Sequence, residues 1–489
     1  MSLINIINLT FGYEDSQHNL FENVNLQLDT NWKLGMIGRN GKGKTTLCKL
    51  LMHQYPYHGH IQAQVNFEYF PYQLADENML TLDIVQNRLP HIAIWQVLKE
   101  MNKLQLKEDL LYRCFATLSH GEKMKILLII LFLKPNNFLL IDEPTNHLDM
   151  ASRQSVSAYL NTKRGFIVIS HDRSFLDSCI DHVMVINNTS IEVQKGNYHS
   201  WKQNKQQEDE FALAQNNKLQ KEIKRLKKTA AQKAQWSDRV EATKIGNGPC
   251  DRGYIGHKAA KMMKRSKAIE KRVERQIEAK QGLLKDIDDV ANLKLHELAF
   301  NQERLLYLQN VSIYIENNLV HEDISFSLYK HERISIQGKN GAGKSSLLKL
   351  LIGDKMISYR GKLHIANNLI ISYVCQDIDQ LQGTLTNHIY KHQIAESLFK
   401  TILRKLGFTA DDFMLDLAQL SDGQKKKILL ATSLATPAHL YIWDEPLNYI
   451  DIISRLQIEQ LLLEFAPTLL FVEHDQSFNA KIATKIITL

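Results

Sequence analysis

Short apolar runs alternate with helical stretches near both ends of the chain. Leu34–Ile37 and Ile334–Ile336 have the length and composition of buried strands. Each run is followed by a glycine-rich turn and then by an apolar segment of helical character, Leu47–Leu51 or Leu347–Leu351. This alternation predicts an α/β core in each region.

The middle of the chain has a different pattern. Gln203–Arg239 has high helix propensity, and a second helical stretch covers about His257–Leu298. Their apolar stripes consist of Leu219, Ile223 and Leu226, and of Ile269, Val273, Ile277, Leu284 and Ile287. Four glycines and Pro249 fall between positions 246 and 256 and interrupt any helix. We therefore predict an antiparallel helical hairpin with its tip near 245–257, and arms that reach roughly 60 Å at 1.5 Å per residue.

These patterns divide the 489 residues into three parts. Residues 1–201 and 301–489 are predicted to be two α/β domains, and 202–300 the helical linker that joins them. No run of about 18 apolar residues occurs, so no membrane-spanning helix is expected. The chain begins with a strand-like segment, so no signal peptide is expected. The five cysteines lack C-x-x-C spacing, which fits a reducing cytoplasm without a zinc site or disulfide framework.

The basic charge is concentrated in the linker. Residues 202–300 contain 23 Lys/Arg and 14 Asp/Glu, an excess of nine positive charges, whereas the whole chain has a net charge of +7. The remainder therefore has a net charge of −2. A basic helical segment indicates a polyanionic partner, although a solvated lysine-rich helix face would show the same pattern.

Two copies of a phosphate-binding loop follow the two strand-like runs. Gly38–Thr45 and Gly338–Ser345 both fit the pattern G-x-x-x-x-G-K-S/T. In such a loop, backbone N–H groups surround phosphate oxygens, the lysine reaches the β and γ phosphates, and the hydroxyl binds Mg²⁺. The strand–loop–helix context of both copies makes chance glycine-rich turns an unsatisfactory explanation.

Three further motifs repeat at nearly the same offset of 300 to 303 positions. Ser119–Glu122 corresponds to Ser421–Gln424, and Phe138–Pro144 corresponds to Leu440–Pro446. Ile169–Asp172 corresponds in the same way to Val472–Asp475. A near-constant offset over four motifs indicates a duplicated domain.

A phosphate-binding loop, an LSGGQ-like signature, a strand ending in Asp-Glu and a later histidine resemble an ABC-type ATPase domain. Two such domains joined by a charged helical linker resemble the ABC-F family of ribosome-associated ATPases. The resemblance implies ATP and Mg²⁺ as cofactors and two sites, each formed by the loop of one domain and the signature of the other. It also implies the ribosome as partner, with no membrane and a monomeric free protein.

The motifs supply the candidate site residues. The catalytic candidates are Glu143 and Glu445, placed to activate water, and His171 and His474, placed near the γ-phosphate. The candidates for ATP binding are Tyr13, Gly38, Asn40, Gly41, Gly43, Lys44, Thr45, Thr46, Ser119, Gly121, Glu122, Gly338, Asn340, Gly341, Gly343, Lys344, Ser345, Ser346, Ser421, Gly423 and Gln424. The Mg²⁺ candidates are Thr45, Gln73, Asp142, Ser345, Gln376 and Asp444. Gln376 matches the glutamine loop more closely than Gln73 does.

The predicted tip of the linker combines turn residues with groups that stack on bases or bind phosphates. The candidates for contact with RNA or tRNA are Lys244, Arg252, Tyr254, His257, Lys258, Lys261, Lys264 and Arg265. The tip, together with Asn31–Gly35, resembles the Lsa-type antibiotic-resistance branch of ABC-F. That resemblance implies binding in the ribosomal exit site, with large-subunit ribosomal RNA and peptidyl-tRNA as contacts. It also implies displacement of lincosamides, pleuromutilins and streptogramin A.

Three other functions compete with drug protection. A housekeeping ABC-F factor would act on stalled ribosomes without drugs. A transporter ATPase has no use for a basic hairpin of about 100 residues between its domains. In DNA-repair ATPases, helical arms usually interrupt one ATPase domain and do not join two complete ones.

Overall fold

The computed structural model describes residues 2–13, 19–72, 74, 76–146, 148–187, 190–242, 271, 293, 295, 297–316, 318–339, 341–378 and 381–489. The chain forms two compact units, Met1–His199 with Val290–Leu489, and Ser200–Asp289. The first unit contains two lobes, each with a larger, mostly parallel sheet and a three-stranded antiparallel sheet.

The first lobe has nine strands and six α-helices among its described residues. The strands are β1 Leu3–Phe11, β2 Phe21–Asp29, β3 Lys33–Ile37, β4 His58–Gln62, β5 Asn66–Phe70, β6 Asn137–Asp142, β7 Phe166–Ile169, β8 His182–Ile186 and β9 Ile191–Lys195. The helices are α1 Lys44–Leu51, α2 Thr81–Arg88, α3 Ile94–Lys103, α4 His120–Leu133, α5 Met150–Asn161 and α6 Arg173–Cys179. Two 3₁₀ helices cover Glu108–Tyr112 and Phe115–Thr117. The larger sheet has the order β5-β6-β7-β3-β8-β9, with β9 antiparallel to β8, and the smaller has the order β2-β1-β4.

One long helix, α7 Tyr198–Ala242, follows the first lobe and provides the first arm predicted for the linker. The predicted tip and most of the second arm lie outside the described residues. The helical hairpin as a whole therefore stays a prediction. In the part of the chain that the structure describes, no helix is both long and apolar enough to cross a membrane.

The second lobe repeats this architecture. Its strands are β10 Arg304–Ile315, β11 Asn318–Tyr329, β12 Arg333–Gln337, β13 Ile357–Ile365, β14 Ile371–Val374, β15 Leu440–Asp444, β16 Leu469–Val472 and β17 Lys485–Thr488. Its helices are α8 Lys344–Leu351, α9 Leu385–Lys391, α10 Glu396–Lys405, α11 Asp422–Ala435, α12 Ile452–Phe465 and α13 Gln476–Ile482, with 3₁₀ helices at Asp411–Met414 and Leu417–Gln419. The parallel sheet has the order β14-β15-β16-β12-β17, and the antiparallel sheet has the order β11-β10-β13.

The central strands of both parallel sheets are buried on both faces. In β6, Phe138–Ile141 is wholly buried, and every residue of β15 is buried. Strands that are covered on both faces consist of continuous apolar runs, which explains why apolar and polar residues do not alternate in these segments. Helix α4 carries eight consecutive buried residues, Met124–Leu131, because it too is surrounded by protein.

The strand order brings the motifs together. In the first lobe β6, β7 and β3 are neighbours, and in the second lobe β15, β16 and β12 are neighbours. The phosphate-binding loop, the Asp-Glu pair and the histidine motif follow the carboxyl ends of these three strands. In open parallel sheets, ligands bind at this edge. The fold therefore brings these three motifs of each lobe together at one edge of its parallel sheet.

Candidate active site

The first phosphate-binding loop encloses the ammonium group of its lysine. Lys44 Nζ donates to the carbonyl oxygen of Gly38 at 2.7 Å and lies 3.2 Å from Asn40 Oδ1. Gly43 begins α1 with φ of 91°, and a Cβ there would lie 2.7 Å from Leu20 and 2.8 Å from Phe21. Glycine is required at this position both by the backbone and by its neighbours. Burial lowers the pKa of Lys44.

The second loop has the same construction. Lys344 Nζ donates to the carbonyl oxygens of Gly338 at 2.9 Å and Lys339 at 3.0 Å. Gly343 begins α8 with φ of 89°. Both helices therefore direct their N-terminal N–H groups toward the loop, where they favour an anion.

The aspartates that end β6 and β15 differ in their contacts. Asp142 Oδ2 accepts hydrogen bonds from Thr45 Oγ1 and from the Tyr69 hydroxyl, both at 2.8 Å. Asp444 is 1% exposed, and among the described residues neither of its carboxylate oxygens has a hydrogen-bond partner. Burial raises the pKa of Asp444. A buried carboxylate beside the P-loop hydroxyl of Ser345 has the chemistry of a Mg²⁺ ligand.

Glu143 is held in an unusual backbone conformation at the end of β6. Its φ is 49°, a left-handed value that costs a non-glycine residue roughly 1–3 kcal/mol. Its N–H donates to the carbonyl oxygen of Ile169 at 2.9 Å, and its Oε1 lies 3.3 Å from Nε2 of His171. Burial, and then the charge of Asp142, raise the pKa of Glu143 to about 8. A carboxyl group with a pKa near the working pH is suited to accept a proton from water.

Glu445 has the same backbone conformation but more side-chain partners. Its φ is 46°, and its N–H donates to the carbonyl oxygen of Val472 at 3.0 Å. Its Oε2 accepts from Gln376 Nε2 at 2.9 Å and Asn448 Nδ2 at 2.6 Å, and its Oε1 lies 3.3 Å from His474 Nε2. Burial alone would raise the pKa of Glu445, but the hydrogen bond and charge of His474 hold it below the ordinary value. The two glutamates are therefore in electrostatically different sites.

Burial favours the neutral form of the histidine in the first site. Burial, and then the charge of Lys44, hold the pKa of His171 well below its ordinary value. A neutral imidazole keeps one nitrogen as a hydrogen-bond donor and one as an acceptor. His171 can therefore orient Glu143 or a phosphate oxygen without adding a charge.

The two signatures each begin a helix with a capping box. Ser119 Oγ accepts from the N–H of Glu122, whose carboxylate accepts from the N–H of Ser119. Ser421 and Gln424 make the same reciprocal pair at the start of α11. The boxes fix the helix starts, where serine hydroxyls and free N–H groups can bind a phosphate.

The loop of the first lobe contacts the signature of the second lobe. Asn40 Nδ2 donates to the carbonyl oxygen of Tyr449 at 2.7 Å. A Cβ on Gly423 would lie 2.4 Å from Asn40 Nδ2 and 2.6 Å from that same carbonyl oxygen. The structure thus brings Asn40 and Gly423 together across the lobes. A Cβ on Gly121 would meet Leu148, a residue of its own lobe, at 3.2 Å.

The sheet register relates the strands that precede the two glutamine loops. Tyr69 pairs with the residue two positions before Asp142, and Tyr373 pairs with the residue two positions before Asp444. Gln73, the predicted Mg²⁺ ligand of the first loop, lies outside the described residues and stays a prediction.

Tyr13, the predicted adenine-stacking residue, lies at the edge of the first loop. Its hydroxyl is 2.7 Å from Thr46 Oγ1, and its ring makes an edge contact with Phe11 at a centroid distance of 5.2 Å. The residue remains 46% exposed, so part of its surface is accessible to a ligand. Asn340 lies outside the described residues, as do all the predicted RNA contacts, Lys244, Arg252, Tyr254, His257, Lys258, Lys261, Lys264 and Arg265.

A buried ion-pair cluster joins the two lobes beside the first site. Arg173, which begins α6, donates to both carboxylate oxygens of Glu459 on α12 and lies 3.5 Å from Asp475 Oδ2. The side chains of Arg173 and Glu459 are only 5% and 4% exposed. At the equivalent position beside the second site, a cavity of about 420 Å³ is lined in part by Ser157 and Gln476. The lobe interface is therefore asymmetric.

We expect Glu459→Gln to destabilise this interface, because it leaves the Arg173 guanidinium buried with an incomplete set of acceptors. Removing one partner of a buried pair costs about 3–5 kcal/mol. Thermal unfolding should begin several degrees lower than in the wild type. Glu464→Gln, an exposed change on the same helix, is the control. Equal unfolding temperatures for both variants would contradict a stabilising role for the cluster.

Two lobes with P-loops, signature helices and acidic strand ends, in contact through one loop and the opposite signature region, define an ABC-type ATPase. The chain belongs to this family, since the sequence model of the ABC transporter family matches residues 21–146 and 321–448, just over half of the chain. It is an ATP-binding and ATP-hydrolysing protein with two tandem ABC domains.

Similar proteins extend over nearly the whole chain. The ribosome protection protein VmlR of Bacillus subtilis (strain 168) is 27% identical over 97% of this chain and 85% of its own length. The ATP-binding protein Uup of Buchnera aphidicola subsp. Schizaphis graminum (strain Sg) is 27% identical over 99% of this chain and 80% of its own length. The predicted resemblance to the ABC-F family is confirmed.

Solved structures share the fold. The archaeal ribosome recycling factor aABCE1, in complex with the ribosomal stalk protein aP1, matches with a TM-score of 0.62 at 17% identity. The match covers 98% of this chain and 87% of that one. The predicted fold class of two tandem ABC domains is confirmed.

Several site contacts are not visible in the motifs. The Tyr69 hydroxyl on Asp142 and the Asn448 amide on Glu445 both depend on tertiary packing. Their positions were the only signal in the sequence, because Tyr69 lies in the strand-like run that leads to Gln73, and Asn448 follows the Asp-Glu motif.

Proposed function

We propose that this chain is an ATP-driven ribosome-protection factor. It binds the ribosomal exit site and extends its basic linker, residues 202–300, toward the peptidyl-transferase centre. There it displaces lincosamide, pleuromutilin or streptogramin A antibiotics. The observation that supports this most is similarity along nearly the whole chain to a protein named for ribosome protection.

The lobe contacts support an ATP-dependent clamp. Asn40 and Gly423 meet across the lobes at the first phosphate-binding loop. ATP bound by Lys44 would lie between this loop and the Ser421 signature, so that its γ-phosphate joins the two lobes. The second site would pair Lys344 with Ser119 in the same way. Hydrolysis removes the group that joins the lobes and permits release from the ribosome.

Mg²⁺ is the proposed second cofactor. Thr45 and Asp142 would hold it in the first site, and Ser345, Asp444 and Gln376 in the second. These are oxygen donors, as Mg²⁺ requires, and the ion would neutralise phosphate charge. Glu143 and Glu445 accept a proton from the attacking water, while His171 and His474 orient those carboxylates or a phosphate oxygen.

The linker supplies the proposed contact with ribosomal RNA and peptidyl-tRNA. Its excess of nine positive charges contrasts with a net charge of −2 on the rest of the chain. Basic side chains that neutralise phosphates release counterions, so binding should weaken as salt increases. Lys258, Lys261, Lys264 and Arg265 form a basic group beside the predicted tip.

Neutralising those four residues with glutamine should weaken ribosome binding and reduce its salt dependence. Each lost phosphate contact should lower the slope of log affinity against log salt by about one. The measurement is ribosome co-sedimentation over a range of salt concentrations. The control, with the same change in net charge, replaces four exposed lysines of the lobes, Lys107, Lys195, Lys355 and Lys391. If the linker variant and the control have equal slopes, the basic face of the linker is merely solvated.

A further inference from the structure

Lys426 is a buried lysine that the known motifs of the site do not use. It lies on α11, two positions after the signature, and is 1% exposed. Its ammonium group donates to the carbonyl oxygen of Cys375 at 2.8 Å and to that of Asp444 at 3.3 Å. A third carbonyl oxygen, that of Gln376, lies 3.5 Å away. An ammonium group is rarely buried unless such partners compensate its lost hydration.

These carbonyl groups belong to the two segments that carry the chemistry of the second site. Cys375 and Gln376 follow β14, and Asp444 ends β15 immediately before Glu445. One ammonium group therefore ties the two backbones together at the point where they leave the sheet. Between the same two segments, Gln376 Nε2 donates a hydrogen bond to Glu445 Oε2 at 2.9 Å. Fixing the backbones fixes how the Gln376 amide meets the carboxylate.

Within the residues that the structure describes, the first site has no equivalent of this lysine. Gly121 and Gly423 occupy the same signature position, so Lys426 corresponds to Met124. Met124 is 6% exposed, and its thioether cannot donate a hydrogen bond. In the first site, Asp142 is instead held by Thr45 and Tyr69.

We propose that Lys426 is a positioning residue for ATP hydrolysis at the second site. Its ammonium group holds the glutamine loop against the end of β15, and this keeps Gln376 on Glu445. ATP hydrolysis at the first site does not depend on such a lysine. A purely structural lysine would stabilise the lobe without affecting one site more than the other.

The test compares Lys426→Met in two backgrounds. In Glu143→Gln protein, hydrolysis comes from the second site, and in Glu445→Gln protein it comes from the first. Methionine is the residue at the equivalent buried position of the first lobe, so a side chain of this shape already packs in the same fold. In the Glu143→Gln protein, which reports on the second site, we expect kcat to fall on the order of tenfold to a hundredfold, with KM for ATP changed less than about twofold. In the Glu445→Gln protein, which reports on the first site, the fall in kcat should be several times smaller.

Lys425→Met is the matched control, because it makes the same change one position earlier on a partly exposed side chain. It should leave turnover unchanged in both backgrounds. Equal losses of turnover from Lys426→Met in the two backgrounds, or no loss in either, would overturn the proposal.

A double-mutant cycle tests whether Lys426 acts through Gln376. Gln376→Ala should lower second-site turnover, and adding Lys426→Met should then lower it little further. If Lys426→Met does not fold, Lys426→Gln serves in the same cycle, because its amide can still donate to one carbonyl group. Independent, multiplicative losses in the cycle would contradict action through Gln376.

Discussion

Replacing both Glu143 and Glu445 with glutamine is expected to abolish nearly all ATP hydrolysis while leaving ATP binding intact. Glutamine has the same shape but cannot accept the proton of the attacking water. Losing a general base costs on the order of 10²–10⁴-fold in rate. Both residues are fixed by their left-handed backbones and by the N–H bonds to Ile169 and Val472, so the change should not move them. Phosphate release by the purified protein measures the effect.

The same double variant should remain bound to ribosomes in ATP. Unhydrolysed ATP would keep the lobes joined through the loop and the opposite signature. The variant should therefore co-sediment with ribosomes in ATP more completely than the wild type. Glu464→Gln, an exposed carboxylate-to-amide change, is the control for both assays. Wild-type turnover in the double variant would remove both glutamates from the mechanism.

The second large effect is expected at the predicted tip of the linker. Replacing residues 247–255 with a short Gly/Ser turn should remove drug protection and leave ATPase activity unchanged, since no motif of the nucleotide sites lies there. Ribosome binding should persist, because most basic residues of the linker remain. The measurements are the minimum inhibitory concentration and ribosome co-sedimentation for the same variant.

Single changes at the tip separate two ways in which it could act. If it shifts RNA and tRNA and does not overlap the drug, Tyr254→Ala should reduce protection only in part. Full protection by the tip-replaced protein would contradict a role for the tip. It would assign the effect to the ATPase lobes alone.

The nucleotide sites were largely predictable because their parts are local in sequence. A strand, a glycine turn and a helix occupy about 20 consecutive residues. Because the domain is duplicated, each motif in one copy also identifies the equivalent motif in the other copy. Buried parallel strands can also be recognised in the sequence as apolar runs, as in Phe138–Ile141.

The remaining features of the site depend on which distant residues face one another. Lys426 and Glu459 look like ordinary helix residues, and only tertiary packing places them against strand-end carbonyls or Arg173. The hydrogen bond from the Tyr69 hydroxyl to Asp142 shows the same limit, because it joins residues 73 positions apart in the sequence.

The most direct test of ATP-driven ribosome protection is antibiotic susceptibility in a sensitive strain that expresses the chain. We expect a several-fold higher minimum inhibitory concentration for at least one of the lincosamide, pleuromutilin and streptogramin A classes. The same chain with Lys44→Ala and Lys344→Ala, expressed at an equal level, should give no increase, because both P-loops lose their phosphate contact. Unchanged susceptibility with the wild-type chain would contradict drug protection and favour a housekeeping factor that acts on stalled ribosomes.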